Sequence, residues 1–203
     1  MKLLKRIAAF TLVELLVVIS IIAILASLAL PSIVGALTRA QLTQALSNAR
    51  QIHTATTMAV ASAASTGDTN FGWPGDVSTI TTVQLFAKML IDYDFLKAQD
   101  VGKVFTCSGM GGITTTTNSA TITDANCAFL VYPITDGDAG VNVFLTTQNM
   151  ETFGNAPAVD SKPFGDKGFV VFRKSGDGAV YKNQQATNTN LIGPLPTNNT
   201  TSF

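Results

Sequence analysis

Phe10-Thr-Leu-Val-Glu-Leu-Leu-Val-Val-Ile-Ser-Ile-Ile-Ala-Ile-Leu-Ala-Ser-Leu-Ala-Leu30 is the stretch on which the reading of this chain turns. It has 21 residues and one charge, Glu14. At about 1.5 Å of rise per helical residue it reaches roughly 30 Å, the thickness of a bilayer's hydrocarbon core. A bare carboxylate in lipid costs on the order of several kcal/mol, so a span that keeps Glu14 calls for a partner to it. Upstream lies the basic leader Met1-Lys-Leu-Leu-Lys-Arg-Ile-Ala-Ala9. Lys2, Lys5 and Arg6 place that end in the cytoplasm and everything after Leu30 on the far side. Two plainer readings compete. An ordinary secretory signal would have Ser27-Leu28-Ala29 as its cleavage site, but the apolar run exceeds the usual length and contains Glu14. A simple membrane anchor is the other. Thr11 and Glu14 also have the spacing of a helix capping box, in which Glu14 satisfies the helix start.

The segment Lys5-Arg-Ile-Ala-Ala-Phe-Thr-Leu-Val-Glu-Leu-Leu16 resembles the class III leader junction of type IV pilins and type II secretion pseudopilins. The resemblance covers about residues 5–60 and is most specific over 10–31. It implies cleavage by a prepilin peptidase between Ala9 and Phe10, N-methylation of Phe10, and Glu14 as fifth mature residue with an assembly role. Pro31 stands twenty-second in the mature chain, where the family places a proline. The family usually has Gly before the cut, whereas this chain has Ala9.

Composition sets further bounds. The 203 residues suit one domain with an appendage, and their formal net charge is +0. Loss of the leader's three cations leaves 10 Lys and Arg against 13 Asp and Glu, or −3. No basic patch supports binding to nucleic acid. Cys107 and Cys127 are the only cysteines, and outside the cytoplasm a disulfide between them is expected. It would close a loop of about 20 residues and contribute about 3 kcal/mol in the chain-entropy model. Two unpaired structural thiols are the alternative. The only histidine, His53, is far from them in sequence, which speaks against a metal site.

Taken in order, one long helix is expected over 10–63, with 10–30 in the membrane or a filament core. Pro31 and Gly35 would kink or locally melt it. Beyond Pro31, Leu42, Ala45, Leu46, Ala49, Ile52, Ala59, Val60 and Ala63 recur at helical spacing and form one apolar stripe. Unbroken, this helix would be about 80 Å long, too long for the interior of so small a domain. A shaft carrying a head at 64–203 explains it. His53 falls on the amphipathic part. It is expected to be partly exposed, with a pH-sensitive contact as the functional alternative. Residues 65–76 are rich in turn formers and mark the start of the head, where Trp73 is expected to pack onto the fold.

A second helix is expected over 82–98, capped by Thr81 or Thr82, and a loop or irregular hairpin over 105–128. Residues 128–134 and 141–146 flank Thr135-Asp-Gly-Asp-Ala-Gly140, and residues 168–173 and 179–182 flank Ser175-Gly-Asp-Gly178. These are two hairpins, giving a four-stranded antiparallel sheet packed on the amphipathic helix. The fold class is therefore α+β, which is also what the resemblance implies. Residues 183–203 are rich in Asn, Thr and Pro and are expected to be an exposed or disordered tail, with overlapping glycosylation sequons beginning at Asn198 and Asn199.

No catalytic constellation stands out, so no enzyme activity is expected. Asp136, Asp138 and Asp177 are weak calcium candidates, since family members use calcium in the head, but Asp-Gly pairs are ordinary turn formers. Otherwise no cofactor is expected. The resemblance implies a structural subunit of a type IV pilus or type II secretion pseudopilus, held in the bacterial inner membrane with its head on the extracytoplasmic side. Its implied partners are further copies of itself, a prepilin peptidase, the inner-membrane assembly platform and, before assembly, membrane lipid. A single-span anchor carrying an extracytoplasmic binding domain is the alternative.

Overall fold

The computed structural model describes residues 11–123, 125–150, 154–196 and 202–203. They fall into two units, the first ending at Arg39 and the second spanning Ala40–Phe203. Helix α1, Leu12–Thr66, contributes to both. It begins two residues later and ends three residues later than the sequence suggested. Helical structure continues through Pro31 and Gly35, so the locally melted alternative does not occur. A side chain added at Gly35 would meet nothing within 4 Å, so that glycine answers to no packing constraint among the described residues.

In the second unit α1 presents a narrow buried stripe. Leu42, Ala45, Ala49, Ile52, Ala55 and Ala59 are all buried, and four of them are alanines. Small side chains let other elements approach the helix axis closely. Leu46, Val60 and Ala63 flank the stripe, partly buried. Polar side chains extend the seam: Gln44 donates to Asn48 Oδ1 (2.9 Å), and Asn48 donates to the carbonyls of Lys103 and Thr106 (3.3 Å each).

The helix expected over 82–98 ends at Asp92 (α2, Val83–Asp92), and a second helix, α3 (Ala98–Val104), begins where it was expected to end. Thr82 caps α2, its hydroxyl accepting from the Leu85 N–H. The break follows from Asp94, which adopts φ 61°, a left-handed conformation that ends a helix. Its N–H turns back to the Ile91 carbonyl, and those of Phe95 and Leu96 to that of Leu90. The loop at 105–128 contains a small hairpin, β1 (Thr114–Thr115) with β2 (Ala120–Thr121).

The main sheet comprises β3 (Phe129–Val131), β4 (Val143–Thr147), β5 (Phe169–Arg173) and β6 (Gly178–Tyr181). The strands are antiparallel and lie in sequence order. Both expected hairpins form, with Leu130 opposite Thr146 and Val170 opposite Val180. A register shift between Val143 and Leu145 marks a bulge against β5. The layout is α+β, as expected.

Both faces of this sheet are covered. Val170 and Phe172 of β5 join the cluster that includes the α1 stripe, whereas Phe169 and Val171 join a second cluster on the opposite face. That second cluster includes Ala186 and Ile192, each fully buried. Residues 183–196 are therefore not the exposed tail expected from their composition. They carry a short helix, α4 (Thr189–Ile192), capped by Asn188, and seal the far face of the sheet. Arg173 ties α4 down, donating to the Leu191 carbonyl (2.7 Å) and to the Tyr181 hydroxyl (3.0 Å). Farther on, Phe203 exchanges two backbone hydrogen bonds with Val131 (3.1 Å each), lengthening the sheet at the β3 edge. The sequons at Asn198 and Asn199 lie outside the described residues.

Replacing Ile192 by Ala removes a fully buried side chain and should cost about 2–5 kcal/mol. Val180→Ala, on the partly exposed β6 edge, should stay within roughly 0.5 kcal/mol. Denaturant unfolding of the full chain in detergent, followed by the fluorescence of Trp73, measures both. Equal effects of the two substitutions would contradict the sealing role of residues 183–196.

Candidate functional site

The first unit carries the feature that packing inside the chain does not explain. Within α1 an 18-residue window has mean hydropathy 2.8 and none of it is buried in the chain. Leu12, Val13, Ile24, Leu25, Leu28, Leu30 and Ile33 are each more than half exposed. Water makes such a surface costly at about 25 cal/mol per Å² of apolar area, so it needs lipid or other apolar helices around it.

The polar groups of this segment are satisfied locally. Ser20 donates to the Leu16 carbonyl (2.8 Å), Ser27 to that of Ile24 (2.8 Å), Ser32 to that of Ala29 (3.0 Å) and Thr38 to that of Val34 (3.1 Å). Each hydroxyl returns to its own helix, the arrangement that an apolar environment demands. Glu14 is the one charged side chain between Thr11 and Thr38. Its Oε2 accepts from the Thr11 N–H (2.9 Å) and from the Thr11 hydroxyl (2.7 Å). In return the Glu14 N–H donates to Thr11 Oγ1 (3.3 Å). This is the reciprocal capping box that the Thr11 and Glu14 spacing suggested. It satisfies the helix start, and among the described residues no cation pairs with the carboxylate. Ala9 and Phe10 lie outside the described residues.

The head offers less. Asp138 accepts from the Thr135 N–H (2.7 Å), the Thr135 hydroxyl (2.8 Å) and Asn142 Nδ2 (3.0 Å), which closes the β3–β4 turn. Asp177 is bound by Arg173 and Ser175. Asp136 uses its N–H on Asp76 Oδ2 (2.8 Å). Above this turn the Lys174 ammonium donates to the carbonyls of Asp136 and Asp138. The carboxylates of Asp138 and Asp177 thus serve a turn and an ion pair, and Asp136 contributes its backbone N–H and carbonyl. Among the described residues no group of three or more His, Cys, Asp or Glu side chains is placed to hold a metal ion. Asp76 has its carboxyl pushed up by burial and by the charges of Asp136 and Asp138, against the Lys174 ammonium and the Asp136 N–H.

Cys107 and Cys127 are both thiols in the structure, so the expected disulfide is not formed there. The fold nevertheless brings them together. The Ala128 N–H donates to the Phe105 carbonyl (2.7 Å), and that of Gly111 to the Ala125 carbonyl (3.2 Å). The Cys127 thiol donates to the Phe129 carbonyl (3.2 Å). Burial, with a smaller push from Cys127, raises the Cys107 thiol to about 12.

His53 is where the sequence reading and the structure differ most. His53 is only 9% exposed, not the partly exposed helix residue expected, because the sheet and the Trp73 loop close over it. Trp73 is buried against the head, as expected.

No curated protein and no solved structure matches the chain. One family model does, over the segment whose exposed apolar helix has just been described. Residues 4–30 carry the prokaryotic N-terminal methylation motif, the class III leader of type IV pilin-like proteins.

Proposed function

We propose that this chain is a structural subunit of a filament of the type IV pilus or type II secretion pseudopilus kind. The observation that carries the reading is the methylation motif over residues 4–30 leading into a helix whose apolar window is wholly unburied within the chain. A leader peptidase of the prepilin class cuts between Ala9 and Phe10, and the new Phe10 amine is methylated. The span 10–30 holds the subunit in the inner membrane with its head on the extracytoplasmic side. Assembly exchanges lipid for the helices of neighbouring subunits at little hydrophobic cost, because both surroundings are apolar. Direction and register then come from the polar pair: the Phe10 amine of one subunit meets the Glu14 carboxylate of another. The capping box supports this order of events, since Thr11 holds the Glu14 carboxylate until the amine replaces it.

A structural role, not catalysis, fits the head, where buried polar groups serve turns, caps and seams. In the oxidising compartment beyond the membrane the neighbouring thiols of Cys107 and Cys127 close to a disulfide, joining the segment after α3 to the start of β3.

Two outcomes test this. Glu14→Ala removes one partner of a pair buried at each joint, which should weaken each joint by about 3 kcal/mol, roughly a hundredfold in association. The variant should still fractionate with membranes, yet give almost no sheared or sedimentable filament. Normal filament yield would overturn the role given to Glu14. Reduced Cys107 should also resist alkylation: at pH 8 a thiol near 12 is ionised to about one part in 10⁴, against roughly a quarter for an ordinary thiol. Iodoacetamide labelling of native reduced protein, read by peptide mass, should therefore be about a thousandfold slower than of unfolded protein. Equal rates would show that the thiol is not buried.

A further inference from the structure

His53 is the only histidine of the chain, and the filament reading makes no use of it. It stands on α1 with its ring among three aromatic rings. The centroids of Phe172, Trp73 and Phe144 lie 5.2, 5.8 and 5.9 Å away. Its Nε2 meets the carbonyl of Lys174 at 2.8 Å. A carbonyl only accepts, so this contact fixes the tautomer with hydrogen on Nε2. The rest of the ring rests on the backbone of Gly176: a Cβ added there would stand 3.2 Å from Cε1 and 3.7 Å from Nδ1. Gly176 has φ 90°, so glycine allows both the turn and the close approach. One side chain of α1 thus holds the turn between β5 and β6 by a hydrogen bond and by shape.

We propose that His53 is a pH-sensitive latch, whose protonation releases the Lys174–Gly178 turn from helix α1 and loosens the outer hairpin of the sheet. Protonation places a hydrogen on Nδ1, which meets no acceptor among the described residues, and a charge among apolar rings. The charged groups around the ring lie on the turns and loop beside it. Asp177, on the turn, favours the charged form, but its carboxylate is engaged by Arg173 of β5 and by Ser175. The Lys174 ammonium stands over the neighbouring Trp73 ring, 5.7 Å from its centroid. Asp76 beside the Trp73 loop faces that ammonium, which donates to the backbone carbonyls of Asp136 and Asp138 on the β3–β4 turn. On α1 itself the nearest charge in sequence is Arg50, which is exposed. No titratable side chain of β4 contacts the ring; β4 offers Phe144. Burial prevails over the Lys174 carbonyl and Asp177, and the ring's pKa lies below its ordinary 6.5.

Because the latched value is depressed, the latch is complete above about pH 6.5, where the ring is neutral whether held or released. As pH falls from there toward the latched value, the released turn takes up the proton first. The opening constant then rises by up to tenfold per pH unit, and it levels off below the latched value.

Hydrogen exchange of the full chain in detergent, corrected for intrinsic rates, tests this between pH 7.5 and 5. The reporters are the amides of Lys174, Ser175 and Gly176, which donate to Asn142, Gly140 and Arg173. In the native chain their corrected exchange should rise several-fold to tenfold per unit below pH 6.5, while amides of β4 stay constant. His53→Gln keeps a donor for the Lys174 carbonyl without a titrating ring, and its exchange should be flat across the range. A flat profile in the native chain, or a slope that persists in His53→Gln, overturns the latch. Should that variant not fold, imidazole NMR of the native chain decides: a ring pKa at or above 6.5 overturns the proposal, and one below supports it.

Discussion

The head depends on the close seating of one face of α1, from Leu42 to Ala59, against the sheet and its flanking loops. The stripe is mostly alanine, and large side chains come from the opposite side: Phe144, Phe172, Phe86 and Phe105 are fully buried. Aromatic pairs such as Trp73 with Phe144 and Phe86 with Phe144 meet edge to face, 5.6 and 6.1 Å between centroids. Glycines of the outer hairpin complete the fit. A Cβ at Gly178 would strike Phe172 at 2.2 Å and come within 2.9 Å of Leu46, so the hairpin closes on α1 only without one. In the first unit α1 has no buried side chain and is mostly apolar, with Glu14 its one charge between Thr11 and Thr38.

Much of this was legible in the sequence, for physical reasons that differ by element. The apolar run at 10–30 is long and uniform, and its leader motif is specific. The hairpins were legible because Thr135–Gly140 and Ser175–Gly178 are concentrated turn formers between β-prone runs. The break between α2 and α3 was hidden, since Asp94 in a left-handed conformation leaves no strong compositional mark. The packing of residues 183–196 was missed because Asn and Thr suggest a tail. A signal was nevertheless present: Phe169-Val-Val-Phe172 does not alternate with polar residues, as a strand covered on one face would. Such a strand needs a second covering layer, and Ala186 and Ile192 supply it.

The residues of the candidate site were legible to different degrees. The capping pair of Thr11 and Glu14 is local, and its spacing alone specifies the geometry. The two cysteines are brought together by tertiary pairing of 105 with 128 and 111 with 125, which spacing cannot give. His53 sits on an alanine-rich helix and reads as partly exposed until the sheet and the Trp73 loop are placed over it. Its burial is a long-range consequence of the turn at 174–178, 121 residues away from it at Lys174.

The central claim is that the leader is removed and the remaining helix becomes an assembly surface. The most direct measurement is the intact mass and N-terminal sequence of the protein recovered from native membranes. A mature chain beginning at N-methylated Phe10, with Glu14 as its fifth residue, is the predicted result. A chain beginning at Leu30, or one retaining Met1, would contradict the account.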